Sequence, residues 1–563
     1  TLSNVYGGRS NGNGDIIGNT VIINGGKISI FVYGGYSPFG TTAGNSVIIT
    51  NGIVEGIVYG GYIESGSGNV DGNTVTVNGG NLNHDIYGGW SIAGNAAGNS
   101  VTVNGGTMKS IYGGYSVNGN VTDNSVTISG APVFSGSNFY GGSSSGSGDV
   151  FTGNTLNVRD YSGSSIVSVQ NFQYYNFVFP AAQSGSVLNV VGTAALCDGA
   201  GKSSIVTAGT LRGTKPLQPG ASVTLIQAGI LDVTDFTQTQ AEGTHGSFLR
   251  YLWELDTAGN ALTATLISVG ADQQAKILSE GAAAGAILAS QGAGLAAGDL
   301  LSNLQEGKVE TIAAFFGGSL KYDTGSSVKM TAMGAAFGAA KKFNFLSAGI
   351  FVEYAGGGFD TEYGSLKGDG SASAIGAGFM VKKDIKENIY AEGLIRGGQL
   401  SNEYKTNVSG TAEDFDYSST YFGFSLGGGY IFKVNEKINI DAFGRYALTS
   451  VSVSDTKLSA GEKYEIDSVL SNRIKAGAKG EYQISDTIKP YVTVSYDHEL
   501  SGDINTKIEG YEVEAPTLNG GTLSAGIGAS AKVMSNLTLD LSAQIYSGAR
   551  EGVAGSLKAK YEF

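Results

Sequence analysis

The sequence predicts an all-β protein in two unlike parts. An N-terminal right-handed parallel β-helix of repeats is followed, after one short helical stretch, by a twelve-stranded antiparallel transmembrane β-barrel. Three observations predict this. Tyr-Gly-Gly recurs at Tyr6, Tyr33, Tyr59, Tyr87, Tyr112 and Tyr140, in steps of 25–28 residues. An Ala/Gly-rich run covers 270–305. Twelve long segments of alternating polarity then fill 309–563.

The repeats come first. Between the Tyr-Gly-Gly triplets lie TVIINGG, SVIITNG, TVTVNGG, SVTVNGG and SVTISG, at 20–26, 46–52, 74–80, 100–106 and 125–130. β-Branched residues alternating with Thr or Ser favour strands, and Asn-Gly supplies the positive φ of a tight turn. A near-fixed period of this length means stacked coils, each burying its apolar face on its neighbours. Helix is excluded by Gly density, since each interior Gly costs about 1 kcal/mol relative to Ala. The 90 Gly come without a strict three-residue period and with only 7 Pro, which rules out collagen. The recurring Tyr and Asn are expected to stack in ladders along the axis. Residues 1–160 form this solenoid and hold only 12 charged residues. Residues 161–268 keep strand signals, as in SVLNVV and ALTATLIS, but lose the period and gain Phe172, Tyr175, Phe177, Tyr251 and Trp253. They are expected to cap the stack.

Residues 269–308 carry Ile277, Leu278, Ile287, Leu288 and Leu295 among Ala and Gly, which reads as a slender helix suited to a confined space. Residues 309–563 hold 54 charged residues in 255. Their segments run mostly 11–14 residues, enough to cross a bilayer at a tilt, which takes about 9–11. Leu537, Leu539, Leu541, Ala543 and Ile545 alternate with Thr538, Asp540, Ser542 and Gln544, and the last segment alternates the same way. Short connections (341–344, 535–536) alternate with long polar ones (321–327, 402–419, 453–468, 500–521). That asymmetry and the even strand count are those of an outer-membrane barrel.

The C-terminal GAREGVAGSLKAKYEF, the opening GGSLKYDTGSSVKMTAMGAAFGAAKK, the stretch FVEYAGGGFDTEYG and the linker QAKILSEGAAAGAILASQGAGL together make this chain resemble a type V autotransporter of a Gram-negative bacterium. The resemblance spans roughly 270–563. It implies a barrel in the outer membrane that translocates or displays an N-terminal passenger on the cell surface. It implies a helix threaded through the pore, and a passenger that is usually a β-helix. It implies that Tyr561 and Phe563 form the signal read by the barrel-assembly machinery. Passenger activity does not carry over.

Other chemistry is sparse. A net charge of −14 argues against a nucleic-acid partner. The single Cys197 excludes a disulfide framework and reads as a buried, inert thiol. Gly142–Gly146 formally matches G-x-S-x-G, but a nucleophile elbow needs a strand-to-helix turn, and a turn between coils is the better reading. His84, His245 and His498 lie far apart in sequence; His84 with Asp71 or Asp85 and a nearby Ser is the one triad left open. Asp123 and Asp149 suit turns better than a Ca²⁺ site. Asn303 is a weak candidate for cleavage of the linker. No catalytic, cofactor or metal site is assigned. Glu392, Arg396, Asp441, Arg445, Lys558 and Lys560 are expected to point into the lumen, tolerated there by water and in contact with the linker helix, including Lys276 and Glu280. The partners expected are outer-membrane lipid, the barrel-assembly machinery and host-cell or bacterial surface ligands reached by an adhesive or structural passenger. The alternative is a passenger that is a secreted hydrolase or polysaccharide-active enzyme.

The chain opens at Thr1 inside a repeat, so it reads as a mature form or a fragment.

Overall fold

A computed structural model describes residues 1–292, 301, 304, 306–408, 410–459 and 461–562. The chain divides into two compact units, Thr1–Gly270 and Ala271–Phe563.

The first unit is a parallel β-solenoid. Each coil contributes two long strands and two short ones. The Tyr-Gly-Gly strands, Val5–Arg9, Val32–Ser37, Val58–Ile63, Ile86–Ser91, Ile111–Ser116 and Asn138–Ser144, pair in parallel and in register, so that Tyr33 faces Tyr59 and Tyr87 faces Tyr112. The Thr/Ser-Val strands, Thr20–Ile23, Ser46–Ile49, Thr74–Val77, Ser100–Val103 and Ser125–Gly130, form a second parallel ladder. The period of two sends Val75 and Val77 into the core and leaves Thr74 and Thr76 half-exposed. Two-residue strands such as Val70–Asp71 and Asn81–Leu82 build the remaining ladders. Between them the Asn-Gly-Gly turns close, with Gly80 at φ 95°, a conformation that favours glycine.

From Ser168 onward the coils continue without the repeat, filled by Phe172, Tyr175, Phe177 and Phe179. Two antiparallel pairings end the stack. Leu249–Asp256 folds back on Gln240–His245, and Ala261–Ala271 on Ser222–Asp232. These cover an open parallel edge that would otherwise recruit another chain. Trp253 and Tyr251, both fully buried, sit under the closure.

The second unit is a closed barrel of twelve antiparallel strands. They are Val309–Asp323, Ser327–Lys342, Ser347–Tyr363, Leu366–Lys386, Ile389–Val408, Thr411–Lys433, Ile438–Val453, Val469–Tyr482, Ile488–Ser501, Gly520–Met534, Leu537–Gly548 and Arg550–Glu562. The first pairs with the last, from Glu310 opposite Glu562 to Tyr322 opposite Arg550, so no edge is left. Outward alternation is apolar: Leu541 is 64% exposed and Ile545 62%, while Ser542 and Gln544 between them turn inward.

The connections differ from the expected loops. Residues 402–408 and 411–419 are a continuation of the fifth and sixth strands, which pair as far as Val408 opposite Thr411. The polar alternation there marks strand projecting past the apolar belt. Within 453–468 and 500–521, the short strands Thr456–Lys457, Lys463–Ile466, Thr506–Ile508 and Tyr511–Val513 join into a separate four-stranded sheet.

Candidate functional site: a helix held in the barrel lumen

Helix α1, Lys276–Gly292, is about 26 Å long at 1.5 Å per residue. Of its residues, 276–290 are buried on every side, so its surroundings rather than its amphipathicity decide its fit. It packs on the second to fifth strands, touches the seventh and eighth less, and makes no comparable contact with the ninth to twelfth.

The barrel wall grips the helix backbone. Tyr404 donates to the Ile277 carbonyl at 3.0 Å, Asn402 Nδ2 to Gly281 at 3.0 Å and Tyr417 to Ala282 at 2.9 Å. Arg396 reaches the Ala289 carbonyl near the helix C-terminus, where the macrodipole favours a cation. Arg396 is itself fixed by Glu353 at 2.9 Å, and Tyr421 donates to the same carboxylate at 2.6 Å. At the other end of the helix Lys276 pairs with Glu514 at 2.6 Å and Ser279 meets Thr506 at 2.6 Å. Glu280 accepts from Thr324 at 2.7 Å and from Ser326.

These contacts explain the glycines that make the helix weak by propensity. A Cβ on Gly281 would stand 2.5 Å from the Tyr404 ring, and one on Gly285 2.4 Å from the Tyr417 hydroxyl. The rings can reach past the helix surface to its carbonyls only where side chains are missing.

The lumen residues named from the sequence fall into distinct places. Arg396 touches α1. Glu392 pairs with Arg445 across the wall, and Asp441 accepts from Tyr390 at 3.0 Å. Lys558 and Lys560 lie half-buried on the last strand, opposite Asp540 and Thr538. Tyr561, on the same strand, faces outward. Phe563 and Asn303 lie outside the described residues. Sequence reasoning missed Asn402, Tyr404 and Tyr417; their inward parity was legible only once 402–408 and 411–419 were recognised as strand.

The solenoid holds a second missed constellation. Asn19, Asn45, Asn73, Asn99, Asn124 and Asn154 form a ladder inside the stack. Each Nδ2 donates to the next Oδ1 at 2.9–3.2 Å, and the same Oδ1 accepts the preceding Asn's backbone N–H. These are not the Asn-Gly turn residues but the Asn before each Thr/Ser-Val strand, a recurrence visible as GNTV, GNSV and DNSV. The ladder accounts for Tyr-Gly-Gly. A Cβ on Gly35 would lie 2.5 Å from the Asn45 amide, and one on Gly34 2.4 Å from the Gly60 carbonyl. Outside, the Tyr rings stack at 4.5–5.5 Å between centroids, and Tyr36, Tyr62, Trp90 and Tyr115 stack in a parallel column.

The remaining candidates separate. His84 is exposed and makes no hydrogen bond to Asp71, Asp85 or a serine among the described residues. His245 is buried against Thr210 at 2.7 Å, and His498 lies on the outer barrel wall. Ser144 donates to the Val117 carbonyl, within a strand end rather than an elbow. Asp149 is held well below the usual carboxylate range; Lys202 at 2.8 Å and the donors of Phe151 and Thr152 outweigh partial burial. Asp123 occupies positive φ in a turn. Cys197 is buried and free. No group of three metal-ligating side chains occurs among the described residues.

The barrel is matched by comparison. Residues 311–544 fit the family model described as the autotransporter β-domain. Residues 311–544 are thus an autotransporter β-domain. It is similar to the autotransporter CRAC of Citrobacter rodentium, 25% identical over 39% of this chain, and to the autotransporter adhesin/invasin TibA of Escherichia coli O78:H11, 26% identical over 34%. The match spans only 14% and 19% of the length of those two relatives. The solved transport unit of AIDA-I from Escherichia coli is 17% identical, with a TM-score of 0.41 over 50% of this chain and 99% of that one.

Proposed function

We propose that this chain is an autotransporter that sits in a Gram-negative outer membrane, where the β-domain anchors the solenoid and carries or holds it at the cell surface as a passenger. The observation that carries the reading is α1, gripped through its carbonyls inside a closed barrel whose outer wall is apolar. In this assignment residues 1–160 are the repeat passenger and 161–268 its closing, autochaperone-like coils. Residues 269–308 are the pore linker and 309–563 the anchor. No catalysis is asked of the barrel: coils that stack sequentially outside the cell retain what has been translocated.

The passenger acts by contact rather than turnover, as an adhesive or structural element that meets surface ligands. The name of TibA, an adhesin/invasin, supports this, as do the separate positions of His84, His245 and His498. Tyr561 and the terminal Phe563 serve as the signal for the barrel-assembly machinery.

Protease shaving of intact cells tests display: solenoid fragments should be released while the β-domain stays in the membrane fraction. Solenoid protected in intact cells and cut only after lysis would sink the reading. Turnover of a polysaccharide or peptide by the displayed passenger would replace contact with catalysis.

A further inference from the structure

One turn of the solenoid departs from its neighbours. In the coils on either side the turn reads Asn-Gly-Gly, at 24–26 and 78–80, whereas the coil between them has Thr50, Asn51 and Gly52. Register equates Thr50 with Asn24 and Asn78: the Thr50 N–H donates to the Ile23 carbonyl as the Asn78 N–H donates to Ile49. Asn51 therefore stands where the adjoining coils hold Gly25 and Gly79. The regular turn asparagines turn their side chains toward the next coil. Asn24 Oδ1 accepts from Thr50 Oγ1 at 2.9 Å, Asn78 Oδ1 from Asn104 Nδ2 at 2.7 Å and Asn104 Oδ1 from Ser129 Oγ at 2.6 Å. Asn51, one place out of line, makes no hydrogen bond to that row among the described residues. Its Oδ1 accepts instead from the N–H of Gly52, the next residue in the chain, at 2.8 Å.

That contact sets a nucleophile beside an electrophile. The Asn51 Cγ is one bond from the oxygen that touches the Gly52 nitrogen, and closure between the two makes a five-membered ring. Among the described residues no other Asn-Gly pair has this contact. At Gly12 and Gly119 the N–H is held by Ser10 and Ser116 instead. The Gly52 N–H has no second partner among the described residues, so its loss breaks no bond between coils. Ile53 still donates to the Gly26 carbonyl at 2.9 Å. Gly52 carries no Cβ to crowd the approach, and Asn51 is exposed to water. The buried ladder differs on each count. Asn45, Asn73 and Asn99 precede Ser or Thr, and both the oxygen and the nitrogen of their amides are bonded to adjoining coils.

We infer that Asn51 and Gly52 form a self-modifying site, which closes to a succinimide and opens to aspartate or isoaspartate with water as the only co-reactant. The Gly52 nitrogen bonds to Asn51 Cγ and gives up its proton. The Cγ–Nδ2 bond breaks, and Nδ2 leaves with that proton as ammonia. Water then adds to one of the two imide carbonyls, its oxygen to the carbon and a proton to the ring nitrogen. Opening at Cγ restores the Gly52 N–H and leaves a carboxylate on the side chain. Opening at the backbone carbonyl routes the main chain through Cγ instead. Holding the two groups in contact supplies the orientation that a free chain must find by chance. Either product adds a negative charge to a solenoid whose first 160 residues hold only 12 charged side chains. The change needs no enzyme, accrues with the age of the chain and does not depend on the membrane reading.

The test ages the full folded chain in detergent at neutral and mildly alkaline pH. Peptide mapping by mass spectrometry and labelling with an isoaspartyl methyltransferase then follow each Asn-Gly pair over time. Asn51 should convert about tenfold or more faster than Asn78 and Asn104, as expected for a pair held in contact, and Asn73 and Asn99 should stay intact. In urea the advantage of Asn51 over Asn78 and Asn104 should disappear, because the contact is lost. Thr50→Asn/Asn51→Gly gives this coil the turn of its neighbours, and its position 50 should convert as slowly as Asn78. The comparison within the wild-type chain decides the matter by itself should that variant misfold. Conversion of Asn51 no faster than that of Asn78 and Asn104 in the folded chain overturns the site. So does an advantage that persists in urea, or a folded variant that converts at position 50 as fast as wild type does at Asn51.

Discussion

In the solenoid, strand alternation sends Val75 and Val77 inward and leaves Thr74 and Thr76 toward water. In the barrel it sends Leu541 and Ile545 outward and turns Ser542 and Gln544 to the lumen. The same period of two thus serves opposite solvents. Both interiors also contain polar groups, handled differently. The solenoid buries an Asn ladder that satisfies itself coil by coil. The barrel buries Glu353, Glu392, Arg396 and Arg445, and pairs them across strands or against the helix. The lesson is that burial of polarity is tolerated where geometry supplies it with partners. Closure is local and repeated in one unit, non-local and singular in the other.

The largest expected effect comes from breaking the repeated closure. Asn99→Leu removes the acceptor of the Asn73 N–H and the donor to the Val70 carbonyl. Each buried group left unpaired costs about 1–3 kcal/mol. The urea midpoint of the solenoid, read from Trp90 fluorescence, should fall sharply. A midpoint within error of wild type would show the ladder to be incidental.

Next is the solvent inversion. Leu541→Arg should destabilise the barrel by about 2–4 kcal/mol in a vesicle folding titration if it lies near the midplane, and Ser542→Arg far less. Equal costs would erase the distinction between the two faces.

The singular closure is tested by Gly285→Leu, whose side chain would collide with Tyr417 and Leu400. Overpacking of this kind typically costs about 1–3 kcal/mol. α1 should be less well seated, seen as faster protease cutting in the linker, and Tyr417→Ala in the same chain should restore much of the protection. No rescue would mean that the ring does not set the helix position.

Alkali separates the units more gently. Burial, chiefly, pushes the Tyr112 hydroxyl up to about 12 from its ordinary 10, and Tyr36 likewise to about 12. A folded pKa above the unfolded one stabilises the fold below about pH 10, and that contribution is lost as pH climbs through about 12. Tyr36→Phe/Tyr112→Phe should therefore flatten the decline of solenoid stability between pH 10 and 12, as read by circular dichroism.

The smallest effect is expected from removing residues 87–111. Tyr112 takes the place of Tyr87, its register partner, and the stack shortens by one coil. Surface protease resistance should be nearly unchanged, whereas a deletion about half as long should lose it. Equal degradation of the two would contradict independent coils.

Much of this was readable from the amino-acid order alone. The repeat period, the strand alternation, the twelve segments and the helical stretch all depend on short-range chemistry, and their consequences appear in the same residues. Tertiary structure alone decided the rest. It showed that 402–408 and 411–419 are strand, because pairing between Asn402 and Tyr417 is a relation between two segments. It showed why Gly281 and Gly285 interrupt a helix, because Tyr404 and Tyr417 arrive from more than a hundred residues away. It distinguished the Asn of GNTV from the Asn of the turns, since only stacking reveals which amide finds a partner in the next coil. Local propensity is written in neighbours along the chain. Satisfaction of buried groups depends on neighbours in space, and those exist only after the coils stack and the barrel closes.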